Sequence, residues 1–328
     1  MNNRKIVLEP QTQSLVDAVA SEGGKPLYEL SYADARKLLE DLQASTKVNK
    51  LPADIEERVF PVGPTGQTSV TIYRPKGSKG TLPVVMYYHG GGWILGSKNT
   101  HDRLLRDLVN GTNSAFVFVN YTPSPEAQFP IPIEQGFAAL KYVAEHSDEL
   151  DFDPTRLALA GDSVGGNMAA VVAQLAKERK GPTIRYQVLL YPVTDASLSQ
   201  ASYKEFADGP WLTTAAMKWF WDAYAPNKTD RQKTMASPLA ATTEQLKGLP
   251  PALVIVDEND ILRDEGEEYA RKLIQAGVET TAVRVLATIH DFAMLNPLAG
   301  TAATTGAIEL VSQKLMQILD STARKPAA

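Results

Sequence analysis

The feature that most constrains the fold is a short segment, Gly161-Asp162-Ser163-Val164-Gly165, between a strand-like run and a helix-like run. The run at 157–160 is short and apolar, as a buried strand would be, and the alanine-rich run that begins at Asn167 is typical of a helix. Ser163 therefore lies where a strand must turn abruptly into a helix. The glycines on both sides have no side chain, so neighbouring segments of the chain can pass close to such a turn. In this setting the G-x-S-x-G pattern predicts a serine nucleophile on a strained turn.

A second glycine cluster, His89-Gly90-Gly91-Gly92-Trp93, follows the strand-like run at 84–88. Three successive glycines allow the backbone to approach a substrate closely and to aim N–H groups at developing negative charge. A flexible surface turn is the alternative interpretation. The preceding strand favours a loop that stabilises an oxyanion, and the two glycine clusters together point to acyl transfer through serine.

The four histidines, at positions 89, 101, 146 and 290, allow an argument by elimination. A serine hydrolase with this turn takes its catalytic residues in the order serine, acid, histidine, and only His290 follows Ser163. His290 comes after the strand-like run at 281–286, so we expect it on a loop at a strand's carboxyl end. We expect His89 to organise backbone, and His101 and His146 to be solvated.

The acid must then lie between Ser163 and His290. A clear buried strand at 251–256 is followed by an acidic stretch, and Asp260 is the favoured residue there. Asp257, nearer the strand end, is the main rival. Asp264 and Glu265 are typical of the first turn of a helix predicted at 267–276. A solvated helix start is the alternative for the whole acidic stretch.

On these motifs the chain resembles the hormone-sensitive-lipase-like branch of the α/β-hydrolase superfamily, whose esterases carry an HGGGW loop and a GDSAGG-type elbow. The resemblance covers nearly the whole chain, since residues 121–130 are similar to the family's YRLAPE-x-x-FP segment and residues 260–266 to its DPLRDEG. The chain departs from the pattern at four places: Val164, Ile261 and Asp291 stand where the family has alanine, proline and glycine, and Thr122-Pro123-Ser124 interrupts the usual Arg-Leu-Ala.

The resemblance implies the roles of six residues. Ser163 is the nucleophile, His290 the general base and Asp260 the acid. The N–H groups of the oxyanion hole come from Gly91, Gly92 and Val164. The resemblance also implies a serine carboxylesterase that hydrolyses short- to medium-chain acyl esters through an acyl-enzyme, with no cofactor and no metal. An amidase or arylformamidase of the same fold, or a non-catalytic ligand-binding receptor, is the alternative.

Alternating strand-like and helix-like runs predict an α/β fold, a mostly parallel eight-stranded sheet flanked by helices. Two segments fall outside this alternation, residues 1–48 and 196–236. By the resemblance they form a helical cap over a catalytic core made of 49–195 and 237–328. The second segment is rich in aromatic residues, of which Trp211 is loop-borne and the candidate to line the substrate pocket. Trp219, Phe220 and Tyr224 are expected to be packing residues.

Composition narrows the remaining functions. The chain has 328 residues, a net charge of -5 and no cysteine. It therefore lacks disulfides and thiol chemistry, and has no basic face for nucleic acid. The amino-terminal residues lack the apolar stretch of a signal peptide, and no run is long enough to span a membrane. We expect a cytoplasmic enzyme that acts on small esters without membrane or nucleic-acid partners. Similar enzymes dimerise through the last strand, so a homodimer is the candidate assembly.

Overall fold

The computed structural model describes residues 6–320, which contain one sheet of eight strands in the order β1-β2-β4-β3-β5-β6-β7-β8. Strands β1 and β2 run antiparallel to their neighbours, and all the other pairs are parallel. The predicted mostly parallel eight-stranded sheet is therefore confirmed. The strands are β1 Ala53–Phe60, β2 Thr68–Pro75, β3 Leu82–Tyr88, β4 Ala115–Asn120, β5 Phe152–Asp162, β6 Tyr186–Leu190, β7 Ala252–Asn259 and β8 Thr280–Ile289.

The central strands are rich in apolar residues because both faces of the sheet are covered. Successive residues of β3 show this. Val84, Met86 and Tyr88 belong to the core on one face, whereas Val85 and Tyr87 belong to the core on the other. Side chains alternate between the faces of a strand, so a strand buried on both faces needs an unbroken apolar run.

Eleven α-helices are present in residues 6–320: α1 Pro10–Glu22, α2 Tyr32–Ser45, α3 Lys98–Thr112, α4 Ile131–Glu145, α5 Val164–Glu178, α6 Ala201–Glu205, α7 Thr214–Tyr224, α8 Lys228–Arg231, α9 Thr243–Leu246, α10 Arg263–Gln275 and α11 Ala302–Leu319. Helices α3 and α11 cover one face of the sheet, and α4, α5 and α10 cover the other. Helix α10 begins four residues before its predicted start, and Asp264 and Glu265 lie in its first turn as expected. No helix in this described part is long and apolar enough to cross a membrane.

The helices α1, α2, α6, α7 and α8 fall in the two segments predicted to form a cap. These segments touch each other, since the rings of Tyr32 and Trp219 stack with their centres 5.3 Å apart. The division into core and cap stays a prediction. The first five residues of the 1–48 segment and the last eight of 237–328 lie outside the described residues.

Candidate active site

Ser163 stands on the turn between β5 and α5 with a left-handed φ of 54°. Such a conformation costs a non-glycine residue roughly 1–3 kcal/mol, so the surroundings must hold it. The Ser163 N–H donates to the carbonyl oxygen of Leu190 at 2.8 Å. A Cβ at Gly161 would overlap the carbonyl of Gly165, and one at Gly165 would overlap the carbonyl of Tyr88. The glycines of the motif are therefore required by the close approach of backbone on both sides.

Three side chains from three loops form a hydrogen-bonded chain. The Ser163 hydroxyl lies 2.9 Å from His290 Nε2, and His290 Nδ1 lies 2.8 Å from Asp260 Oδ2. The N–H of Leu262 donates to Asp260 Oδ1 at 3.0 Å, which fixes the carboxylate. Because these residues follow β5, β7 and β8, whose carboxyl ends share one edge of the sheet, the topology brings them together. Between the two acids left open by the sequence, Asp260 is the one bonded to His290.

The glycine loop after β3 lies beside Ser163. A Cβ built on Gly90 would come within 3.1 Å of the Ser163 Cβ. Gly91 and Gly92 have φ angles of 103° and 63°, which favour glycine. Val164 is the first residue of α5, so its N–H has no acceptor within the helix and lies at the positive end of the helix dipole.

His89 organises this loop, as expected. Its Nδ1 lies 2.8 Å from the Gly90 carbonyl oxygen, and the Tyr121 hydroxyl donates to the His89 carbonyl at 3.0 Å. Burial and the nearby His101 lower the pKa of His89 to about 3. The ring is therefore neutral at ordinary pH and holds the loop without moving a proton.

The expectation that His101 is solvated is wrong. His101 on α3 is fully buried, and its Nε2 lies 3.1 Å from Asp162 Oδ2. Tyr87 donates to the other oxygen of Asp162 at 2.7 Å. Although burial would raise the pKa of Asp162, the nearby His101 and these hydrogen bonds hold it below its usual range. A Cβ on Gly90 would overlap Asp162, so this buried pair lies directly against the glycine loop. His146 is half-buried and stacks on Tyr142.

Two further carboxyl groups surround His290. Asp257 is fully buried at the end of β7, and Asp291 Oδ1 lies 3.5 Å from His290 Nε2. Burial raises the pKa of both acids. Burial also lowers the pKa of His290, but Asp260, Asp291 and Asp257 outweigh that effect and raise it. The sequence names Asp257 only as the rival of Asp260, and Asp291 only as a departure from the family's pattern, because only the fold shows that both lie near the same ring.

One grouping in residues 6–320 has the compactness of a metal site. Asp257, Asp260 and His290 each offer a ligand atom within 4.8 Å of the others. Two of the three are already joined by the hydrogen bond between His290 and Asp260. A cation there would have to displace that bond, so the hydrogen-bonded arrangement is the one that these side chains favour.

Helix α7 packs directly on the glycine loop. The rings of Trp93 and Tyr224 stack with their centres 4.0 Å apart, and the Trp221 ring contacts that of Trp93. The predicted packing role is confirmed for Phe220 and Tyr224, which are buried, whereas Trp219 is half-buried. Ser163 is only 4% exposed beneath this cover.

Helix α2 connects the two sides of the site. Arg36 Nε donates to the Ile94 carbonyl beyond the glycine loop at 2.9 Å. Gln43 Nε2 donates to the Met294 carbonyl at 2.9 Å, and the Asn296 N–H donates to Gln43 Oε1 at 2.7 Å. The amino-terminal segment thus holds both the glycine loop and the loop that carries His290.

Trp211 is half-buried and packs against the core on the α3 and α11 face of the sheet. Its place in the substrate pocket stays a prediction.

Comparisons with known proteins agree with this architecture. The profile of the alpha/beta hydrolase fold family matches residues 85–294. A solved structure of a thermostable esterase from Pseudomonas putida is 51% identical, with a TM-score of 0.94, and the match covers 96% of this chain and 98% of that one. Carboxylesterase NlhH of Mycobacterium tuberculosis is 42% identical over 77% of this chain and 80% of its own length. Ethyl acetate hydrolase of Pseudomonas putida is 34% identical over 85% of this chain and 88% of its own. The chain therefore belongs to the alpha/beta hydrolase fold family, in its hormone-sensitive-lipase-like branch of carboxylic ester hydrolases.

Proposed function

We propose that the protein hydrolyses short- to medium-chain acyl esters through an acyl-enzyme formed on Ser163. The observation that carries the proposal is the continuous hydrogen-bonded chain from Ser163 through His290 to Asp260. In this chain of hydrogen bonds the imidazole of His290 can accept the proton of Ser163, and the carboxylate of Asp260 stabilises the cation that results.

In the first half-reaction His290 Nε2 accepts the proton of Ser163 as its oxygen attacks the ester carbonyl. The oxyanion is stabilised by the N–H groups of Gly91, Gly92 and Val164. His290 then gives its proton to the departing alcohol, and the acyl group remains on Ser163. Water repeats the sequence, with His290 as base, and releases the carboxylic acid.

The preference for short acyl chains is supported by the cover over the site. Both Ser163 and His290 are less than 5% exposed, and α7 packs its aromatic rings onto the glycine loop. A closed pocket adds binding energy with each methylene only until its wall is reached. The name of the related ethyl acetate hydrolase, which specifies a two-carbon acyl group, points the same way.

The experiment is a substrate panel. Soluble chromogenic esters with acyl chains of two to sixteen carbons, together with the matching amides, are assayed with the wild type and Ser163→Ala. We expect hydrolysis of short esters, with a sharp fall beyond about eight carbons, and a loss of several orders of magnitude in Ser163→Ala. The control is Ser45→Ala, which removes an exposed serine hydroxyl that is far from Ser163 in the sequence.

Two results would change the proposal. Turnover by Ser163→Ala within tenfold of the wild type would remove Ser163 as nucleophile. Amides cleaved faster than the matching esters would favour the amidase alternative. A phosphonate ester that labels an active serine should attach to Ser163, as mapped by mass spectrometry, and should not label Ser163→Ala.

The remaining expectations stay predictions. They are the cytoplasmic location, the absence of nucleic-acid and membrane partners, and a homodimer. Size-exclusion chromatography with light scattering tests the last of these.

A further inference from the structure

Asp257 is a buried acid that the proposed reaction does not use. It is 0% exposed, and neither of its carboxyl oxygens has a hydrogen-bond partner in the described part of the chain. A carboxyl group buried without partners lowers stability, because it loses its hydration and gains no bond in return. Structural packing alone does not explain an acid at this position.

The location of Asp257 suggests a use. It lies within β7, two residues before the strand ends at Asn259 and three residues before Asp260. One oxygen of Asp257, one oxygen of Asp260 and a ring nitrogen of His290 all lie within 4.8 Å of one another. Asp257 therefore lies close to the imidazole, although it makes no hydrogen bond to it.

The two acids cannot both be charged at low cost. Two carboxylates this close repel each other in a buried site, so one takes a proton. Burial, and then the charge of Asp260, raise the pKa of Asp257 well above its usual value. Asp260 has hydrogen bonds to Leu262 and His290, whereas Asp257 has none. Loss of that charge removes one of the two main obstacles to ionisation of Asp257.

Other groups face this pair from the neighbouring elements. Asp291 follows β8 on the far side of His290, and Tyr191 after β6 lies edge-on to the His290 ring at 5.1 Å. Asp162 on β5 and His101 on α3 form their own buried pair. Tyr191 is neutral, because burial raises its pKa well above the usual value. Among these groups, Asp257 is therefore the carboxyl group that lies beside Asp260.

We propose that Asp257 is a positioning residue that shares with Asp260 the task of holding one negative charge beside His290, and that it takes over this task when Asp260 is removed. The inference rests on the proposed triad. On ionisation the proton of Asp257 passes to solvent, and its carboxylate accepts the hydrogen bond from the imidazole that Asp260 has vacated.

The test is a double-mutant cycle on the full-length protein. Asp257→Asn is introduced into the wild type and into Asp260→Ala, and kcat/KM is measured on a soluble butyrate ester. Loss of an orienting aspartate alone typically costs about 10⁴-fold. We expect Asp260→Ala to lose only about 10²-fold, and the added Asp257→Asn to cost at least ten times more in this background than in the wild type.

A pH profile separates positioning from a merely structural role. In the Asp260→Ala background, Asp257→Asn removes a negative charge beside His290, so the rising limb of kcat/KM moves to lower pH. Asp264→Asn is the matched control. It removes an acid at the start of α10 that bonds Arg263 and Ser202 instead of His290, so it should leave the limb in place in both backgrounds.

Equal losses from Asp257→Asn in the two backgrounds, or a pH limb that does not move, would overturn the proposal. Residual turnover of Asp260→Ala no greater than that of Ser163→Ala would also overturn it. Circular dichroism and thermal unfolding check folding, and Asp260→Asn replaces Asp260→Ala if the alanine variant does not fold. Failure of the triad itself is separately visible, because Ser163→Ala would then keep its activity in the wild-type background.

Discussion

The ring of Phe220 lies against Gly92 so closely that a Cβ on the glycine would overlap three of its carbon atoms. Phe220 belongs to α7 in the predicted cap, and Gly92 belongs to the glycine loop beside Ser163. The contact continues into the stacked rings of Trp93 and Tyr224. The cover and the loop are therefore packed as one unit, and the position of one determines the geometry of the other.

Gly92→Ala should lower kcat about 10-fold to 100-fold, because the new methyl group displaces either Phe220 or the loop that stabilises the oxyanion. The backbone also contributes, since φ at Gly92 is 63°. Gly80→Ala is the matched control, with a φ of 78° and no neighbouring atom within 4 Å of an added Cβ. It bears a similar backbone cost and should keep wild-type kcat. Equal kcat in the two variants would show that the overlap has no catalytic consequence.

Trp211→Ala should move the fall in activity toward longer acyl chains if Trp211 forms part of the pocket wall, because truncation extends an apolar pocket. The measurement is kcat/KM across esters of two to sixteen carbons. Trp219→Ala removes a half-buried tryptophan that stacks on Tyr32, and is the control. A chain-length profile that is unchanged in Trp211→Ala would show that Trp211 does not form the pocket wall.

Asp291→Asn should move the rising limb of kcat/KM to lower pH by about one unit. His290 must be neutral to accept the Ser163 proton, and Asp291 is among the carboxyl groups that raise the pKa of His290. Removing that carboxylate lowers the pKa, so the base becomes available at lower pH. Asparagine tolerates the φ of 68° at this position, which limits backbone disturbance.

Asp151→Asn is the control for this shift, since Asp151 also has a positive φ, of 49°, but lies exposed before β5. The rising limb of its kcat/KM pH profile should coincide with that of the wild type. A limb that moves to higher pH in Asp291→Asn would contradict the assignment of the charge.

Gln43→Ala should lower the free energy of unfolding by about 1–3 kcal/mol, because it leaves the buried Asn296 N–H without its acceptor and frees the Met294 carbonyl. We also expect kcat to fall by about tenfold, since the loop that carries His290 loses its anchor on α2. Urea unfolding and ester kinetics measure the two effects. Lys37→Ala changes an exposed residue of the same helix and should stay within about 0.5 kcal/mol of the wild type. If Gln43→Ala is less stable but keeps the wild-type kcat, the bonds of Gln43 contribute to stability and not to catalysis.

The eight strands, the longer helices and the three hydrogen-bonded residues could be predicted from the sequence, because most of their signals are local. Ser163 has glycines on both sides that the turn requires, and His290 is the only histidine after it. The sequence favours Asp260 and leaves Asp257 as its rival, since both acids follow the predicted strand at 251–256. Only the fold shows that Asp260 is the one hydrogen-bonded to His290.

Long-range contacts could not be predicted in the same way. His101 was expected in solvent because nothing near it in the sequence marks it as buried, and its partner Asp162 lies 61 positions away. The contact of Phe220 with Gly92 likewise joins distant parts of the chain. Such pairs depend on how α3 and α7 pack on the sheet, which periodicity alone does not specify.

The bonds between Gln43 and Asn296 join positions 253 apart, and they have a consequence for how the protein is made. During synthesis α2 leaves the ribosome early, whereas the loop that it anchors is translated after nine-tenths of the described chain. Until then, of the bonds that Gln43 makes in the described residues, only the one to the Thr100 carbonyl oxygen can form, and the proposed nucleophile Ser163 lacks the His290 that would accept its proton. On the proposed mechanism, a nascent chain that already contains Ser163 therefore cannot hydrolyse esters, and hydrolysis begins only when the loop after β8 has emerged.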